Sequence, residues 1–404
     1  MIKKTGLVIA LTACLAFILF KLFEPIFVYG IGWSSVDNNS KPELKSEYSN
    51  HQWQAKSQQA DTIVSKFYNE TNTPAVSVAI SVDGNIVWRA ATGYADLENQ
   101  TPITFNDTFR IGSTSKALTS ILVGTLVDQG MISLSNKLRD IDPSISDNLK
   151  DITLADALSH RAGIRNYGVC FCFPIWEHQN TKRFKSVRDS VSVIEHSKLQ
   201  STPGEEYSYS SFGFNLAGAA IEKVSGRTFQ GAMTHYLLKP IEVNNTYLED
   251  QHKNVTPTAK PYEIDNGRYK PTFGVEQSIR WPSGGFISTP SDMVKLGNTM
   301  LNNSLLSDEV RTALLTVPAK GRNNGGKIYA LGWRVSNWAI DDKTSLKSYH
   351  HDGVSVGGIS SFVVFPNERM VISAMTNKNG TNSKELRKLI KQLVPVFIEE
   401  KQPN

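Results

Sequence analysis

Cysteine is scarce, three residues in 404. That leaves no disulfide framework to staple the chain, so its stability must come from burial. Cys14 lies in an apolar run near the N-terminus, while Cys170 and Cys172 are separated only by Phe171. Two cysteines that close rarely form a strain-free disulfide. The nearby His178 does not complete a zinc-ligand spacing, and both thiols are read as packing residues of a loop. Charge imbalance is also slight, +5 overall. Lysines and arginines are scattered, apart from Lys182-Arg183-Phe184-Lys185 and a basic C-terminal helix. Nothing resembles the basic stripe of a nucleic-acid-binding protein, and those two clusters read as solvated faces. No internal repeat recurs. With 40% hydrophobic residues, the composition is that of a globular chain long enough for one large or two medium domains.

A cleavage signal is missing as well. Lys3 and Lys4 precede an uncharged run from Thr5 to Phe20, and Lys21 and Glu24 lead into further apolar residues up to Trp33. No small-x-small site follows. Leu11-Thr12-Ala13-Cys14 resembles a lipoprotein box, but the apolar run continues past the cysteine where a polar tether belongs. Residues 1–33 are therefore expected to be a retained membrane anchor or uncleaved signal, with Lys3 and Lys4 cytoplasmic and the bulk of the chain on the other side. Residues 34–50 are expected to be a polar linker, and residues 51–404 the folded domain.

Gln52 to Asn69 carries Ile63, Val64, Phe67 and Tyr68 on one side, the pattern of an amphipathic helix ended by Pro74. Ala75–Val82 and Ile86–Gly93 are β-rich runs joined by Asp83-Gly84-Asn85, a strong hairpin signal. Helices and loops are expected from there to about residue 327. Strand character returns at Ile328–Val335, Ser348–His351, Ser360–Phe365 and Met370–Thr376, and Lys384–Glu399 closes as a helix. Strands at both ends of the chain with helices between predict an α/β (α+β) domain. Its antiparallel sheet is completed by both termini and flanked by terminal helices, with a mainly helical insertion over about 117–327 and a cleft between the two.

The chemistry concentrates at Phe109-Arg110-Ile111-Gly112-Ser113-Thr114-Ser115-Lys116, directly before a helical apolar pattern that runs to Asp128-Gln129-Gly130. Ser113 is placed at a helix N-terminus with Lys116 one turn on. A serine hydroxyl needs a base within reach to act as a nucleophile, and a lysine whose pKa is lowered by burial and positive neighbours can serve. Alone, S-x-x-K recurs by chance, as an N-cap serine beside a solvated lysine. Two further motifs follow it. Tyr207-Ser208-Tyr209-Ser210-Ser211 leads into another helix, and a loop tyrosine whose pKa is lowered by nearby cations can shuttle a proton. His350-His351-Asp352-Gly353-Val354 lies on or beside a late strand, where small residues let a substrate pair along the edge and a backbone N–H can complete an oxyanion hole.

Taken together the motifs resemble the serine β-lactamase and penicillin-binding-protein superfamily, in its class C and D-alanyl-D-alanine carboxypeptidase branch. Leu158-Ser159-His160-Arg161-Ala162-Gly163-Ile164, Trp281-Pro282-Ser283-Gly284-Gly285 and Ala330-Leu331-Gly332-Trp333 look familial too. Ile164-Arg165-Asn166-Tyr167 and Tyr209-Ser210-Ser211-Phe212 look most like the mitochondrial β-lactamase-like serine peptidases and their bacterial relatives. The resemblance covers about residues 55–400. It implies Ser113 as acylated nucleophile, Lys116 as its proton acceptor and Tyr209 as the acid for the leaving group. It also implies an oxyanion hole from the N–H groups of Ser113 and Val354, a structural His160, and no metal or organic cofactor.

Two departures stand out. The second motif is often Tyr-x-Asn, and Ser211 offers only a short hydroxyl in place of the amide. The third is often Lys-Thr-Gly, and His351-Asp352-Gly353 replaces its cation with a histidine largely neutral at pH 7. The expected function is cleavage of an amide, peptide-like, or of an ester. A β-lactamase or carboxypeptidase, and a sensor or filament-forming scaffold that does not turn over, are the rivals. The loop from Tyr167 to Lys185 is expected to overhang the cleft.

Overall fold

The computed structural model describes residues 2–35, 42–169, 176–179, 181–319, 329–341 and 344–398. Cys170, Cys172 and the centre of the loop expected over the cleft lie outside the described residues, as do residues 36–41, Ile328 and Glu399.

Helix α1 (Ile2–Gly30) runs straight through Lys21 and Glu24, which pair at 2.6 Å one turn apart. Its stretch Thr5–Glu24 is long and apolar enough to cross a membrane by length and composition. The folded domain begins inside the expected linker. Strand β1 (Lys45–Tyr48) pairs antiparallel with a later strand, because Glu47 meets Arg89 in an ion pair and Ser46 Oγ donates to Asp61 at 2.8 Å. Helix α2 (Gln54–Thr71) follows, then the expected hairpin of β2 (Ala75–Val82) and β3 (Asn85–Asp96). Its turn residues Asp83 and Gly84 have φ of +49° and +85°, the two left-handed conformations a two-residue hairpin loop requires.

The C-terminal third supplies β4 (Arg334–Ala339), β5 (Ser345–Ser355), β6 (Gly358–Phe365) and β7 (Met370–Thr376). The antiparallel sheet has the order β4-β5-β6-β7-β2-β3-β1, so both ends of the domain meet where β7 pairs with β2. The strand expected at Ile328–Val335 instead starts at Arg334. Gly332 (φ +91°) turns the chain there so tightly against the helix behind Ser113 that a Cβ on it would lie 2.6 Å from Ser120 Cβ. Conversely β5 continues past His351 to Ser355, so the third motif lies within a strand.

The period of two along these strands sorts the side chains into two cores. Val76, Val78, Ile80, Val363, Phe365 and Ile372 face α2 and the C-terminal helix Lys384–Phe397. Ala79, Phe362, Val364, Val371 and Met375 face the insertion, where α3 (Ser115–Asp128), α4 (Ser211–Ser225) and α5 (Pro290–Asn298) pack; the C-terminal helix is α6. The insertion is not purely helical. Tyr262–Asp265 and Arg268–Pro271 form a hairpin around Asn266-Gly267, and Phe286–Ser288 pairs with both Phe109–Arg110 and Tyr247–Leu248. The second of these small sheets is clamped by buried Arg110, which donates to Glu249 at 2.7 and 2.6 Å and to the Val356 carbonyl at 2.7 Å.

Candidate active site

Ser113 sits in a single 3-10 turn, Gly112–Thr114, that feeds straight into α3. The turn is pinned against the sheet. Thr114 Oγ1 donates to the His351 carbonyl at 3.2 Å and Ser360 Oγ to the Ile111 carbonyl at 2.8 Å. No side chain fits between the layers: a Cβ on Gly112 would lie 2.6 Å from the Val354 carbonyl, and one on Gly353 would lie 1.7 Å from the Ile111 oxygen. The glycine of the third motif is thus a docking surface, and it brings the Val354 backbone against the residue preceding Ser113.

One turn along α3, Lys116 is wholly buried and reaches back to Ser113 Oγ at 3.2 Å. Its Nζ also donates to the Ser283 carbonyl at 2.7 Å and lies 3.3 Å from Ser211 Oγ. Burial, and then Arg334 and Arg280, bring its pKa down to about 7, against an opposing effect of Tyr167. A neutral amine has two N–H groups and one lone pair. The Ser283 carbonyl can only accept, and Ser211 can take the second N–H, so the lone pair is left facing the Ser113 hydroxyl. The serine found where asparagine is usual thereby orients the lysine.

Tyr209 donates to Ser113 Oγ at 3.1 Å from the opposite side. Cations were expected to lower its pKa; instead burial raises it, only partly offset by the Ser113 hydrogen bond and Arg334. The phenol therefore keeps its proton while the amine can lose its own, which separates a base from an acid at one hydroxyl. His160 lies under this phenol, ring centroids 4.1 Å apart, and burial holds it well below the usual histidine range.

The third motif lies on the strand, as expected, and its histidine is neutral. His351 is buried, its Nδ1 2.7 Å from the Asp352 carbonyl and its Nε2 2.9 Å from Tyr329 Oη. A carbonyl must accept, so Nδ1 carries the proton and Nε2 accepts from the phenol. Burial and Arg334 keep the ring neutral. His351 lines the cavity but brings no charge to a substrate carboxylate. Asp352 accepts from Ser361 at 2.7 Å and faces Arg387 of α6 at 3.5 Å.

The cation beside the site is Arg334, which sequence reasoning missed. It lines a cavity of about 470 Å³ together with Ser113, Tyr209, His351, Asp352 and Val354. Among the described residues it forms no ion pair, and its guanidinium lies 5.6 Å from the Tyr329 ring centroid. Its only signal was its place directly after Ala330-Leu331-Gly332-Trp333. A second cavity, about 390 Å³, opens from the same Ser113, Tyr209 and Val354 and is walled by Asn166, Ser211 and Arg280. From the loop expected over the cleft, Tyr167, His178 and Gln179 line it.

Residues 60–394 match the family described as Beta-lactamase. The chain belongs to that family. It is a member of the serine β-lactamase and penicillin-binding-protein superfamily, a group of serine hydrolases of this fold that also contains non-catalytic members. The human protein named "Serine beta-lactamase-like protein LACTB, mitochondrial" is 24% identical over 391 residues, covering 76% of this chain and 71% of that protein. "Protein flp" of Staphylococcus aureus (strain MRSA252) is 23% identical over 357 residues, covering 85% and 67%. Among solved structures, a D-amino acid amidase from Ochrobactrum anthropi SV3 superposes with a TM-score of 0.71 at 17% identity, over 85% of this chain and 98% of that one. A class C β-lactamase gives 0.70 at 17%, over 89% and 99%. At these identities the structural likeness fixes the fold.

Proposed function

We propose that this protein cleaves an amide, peptide-like, or an ester through an acyl-enzyme on Ser113. The observation that carries the reading is the convergence of Lys116 Nζ and Tyr209 Oη on one hydroxyl oxygen, at 3.2 and 3.1 Å. Lys116 takes the Ser113 proton as Oγ attacks the substrate carbonyl. The N–H groups of Ser113 and Val354 receive the developing oxyanion, aided by the partial positive charge at the start of α3. When the carbon–leaving-group bond breaks, Tyr209 gives its proton to the departing atom. The phenolate left behind is stabilised by the Lys116 ammonium, 5.1 Å from the ring centroid, and recovers a proton from the water that attacks the acyl-enzyme. As the acyl–oxygen bond then breaks, Lys116 returns its proton to Ser113 Oγ. Arg334 supplies the positive charge for a carboxylate on the leaving portion, the part that His351 does not play.

The N-terminal helix fits a signal anchor that leaves the catalytic domain on the non-cytoplasmic face, since Lys3 and Lys4 precede the apolar run.

A fluorophosphonate probe is expected to label the protein at Ser113, and Ser113→Ala to abolish that labelling. Equal labelling of the variant would end the assignment. Nitrocefin turnover set against D-alanine release from a short peptide separates the β-lactamase and carboxypeptidase alternatives. Stoichiometric labelling by substrate with no turnover would instead mark a sensor.

A further inference from the structure

The second cavity contains a charge that acts on Lys116 only through space and is given no contact with substrate in the acyl transfer described above. Arg280 is 8% exposed and lies in the wall of this chamber. Its guanidinium donates to the His178 carbonyl and lies 5.7 Å from the Tyr167 ring centroid, while its Nε has no hydrogen-bond partner. Among the described residues it forms no ion pair. The two nearest acids are engaged elsewhere: Glu249 with Arg110 at 2.6 Å, Glu276 with His252 at 3.4 Å and the Ser278 N–H at 2.9 Å. Among the described residues the one carboxylate lining the chamber, Glu263, faces Lys270 at 3.5 Å. His178 is held below the usual histidine range by burial and by Arg280 itself, so it adds no second cation. A buried arginine without a counter-charge is costly unless something else supplies one. Phe273 and Val275 give the same chamber an apolar part of its wall.

We infer that Arg280 recognises a carboxylate on the acyl portion of the substrate, so that the protein acts on acyl groups with an apolar stem ending in an acid. This rests on the hydrolase reading above and deepens it. The acyl portion is assigned to this chamber because it shares Ser113 and Tyr209 with the cavity lined by Arg334, to which the leaving portion is assigned, and so offers the other side of the nucleophile. An arginine fork matches a carboxylate in two parallel hydrogen bonds, and a site built for such a partner discriminates strongly against analogues that lack it.

The test uses 4-nitrophenyl monoesters of succinic, glutaric and adipic acid against the butanoyl, pentanoyl and hexanoyl esters of equal length, with spontaneous hydrolysis subtracted. At least one acidic ester is expected to exceed its neutral partner in kcat/KM by about tenfold or more. Arg280→Gln should collapse that ratio toward one, and Arg280→Lys should keep part of it. A purely structural role for Arg280 would lower both members of a pair alike and leave the ratio standing, and that result overturns the inference. So does a wild-type protein with no acidic preference in any pair, a measurement that needs no variant to fold. In either case fluorophosphonate labelling of Ser113 shows that the hydrolase reading survives; loss of that labelling sinks both.

Discussion

At the scale of single residues, the site is built around a lysine kept where lysines are rarely found. Burial is the largest cause of its lowered pKa, and the two arginines add to it through space. Unfolded, the same amine keeps its proton up to the ordinary lysine range. Between about pH 7 and that range the unfolded chain therefore binds more protons than the folded one, and stability rises with pH across the window. Below about 7 the cost of the buried charge is fully present. Lys116→Met should accordingly raise the melting temperature more at about pH 6 than at about pH 9. An equal gain at both would mean that the amine is not buried as a cation at low pH. The same titration sets the acid limb of kcat/KM, expected near pH 7 in the wild type. Lys116→Ala should remove that limb and lower the rate by about 10²–10⁴-fold; an unchanged profile would take the base role away from Lys116.

Which residues were legible follows from distance along the chain. Ser113 and Lys116 share one turn, so their spacing alone placed them together. Tyr209 was found through its motif, and in the fold its hydroxyl donates to Ser113 Oγ at 3.1 Å. The direction of its pKa was not legible, because burial depends on His160 and Tyr329, brought in from opposite sides in sequence. No sequence motif singled out Arg280 or Arg334. Only the folded chain shows that both act on Lys116 and, among the described residues, form no ion pair.

At the scale of elements, the site exists because β5 and the turn at Ser113 lie in backbone contact. The sequence pattern ended β5 at His351, where apolar alternation stops, yet pairing continues through Asp352-Gly353-Val354-Ser355 because β6 offers matching backbone as far as Gly358. Small residues there are a consequence of the contact. Gly353→Ala would place its Cβ 1.7 Å from the Ile111 oxygen and 2.7 Å from Ser360 Oγ. The strand or the turn must then move by more than an ångström, carrying the Val354 N–H away from Ser113. We expect fluorophosphonate labelling of Ser113 to slow on the order of 10²-fold, the scale associated with such misplacement. Labelling at the wild-type rate in a folded Gly353→Ala protein would show that β5 does not set the geometry of the nucleophile. The hairpin at Asn266-Gly267 teaches the converse. This stretch was expected to hold helices and loops, because the flanking Tyr262–Asp265 and Arg268–Pro271 are too polar and short to stand out as strands despite the turn dipeptide between them.

At the scale of the whole molecule, the question is where the folded unit starts. Polarity and lack of periodicity made residues 34–50 look like a linker, but an edge strand needs only backbone pairing and one covered face. Lys45–Tyr48 meets both conditions, pairing with Trp88 through Ala91 and placing Ser46 beside Asp61, which also accepts from Trp88 Nε1 at 3.0 Å. Trp88 is fully buried and packs on Phe397 of α6, centroids 5.7 Å apart, so this corner ties β1, α2, β3 and α6 together. Two truncations separate anchor from fold. A chain beginning at residue 42 loses α1 but keeps β1; it should leave the membrane fraction and retain fluorophosphonate labelling of Ser113. A chain beginning at residue 51 also loses β1, uncovers the β3 edge and should melt several degrees lower. If both truncations melted together, Lys45–Tyr48 would be a tether after all. If the first stayed with membranes in the absence of α1, attachment would have to lie on the surface of the catalytic domain.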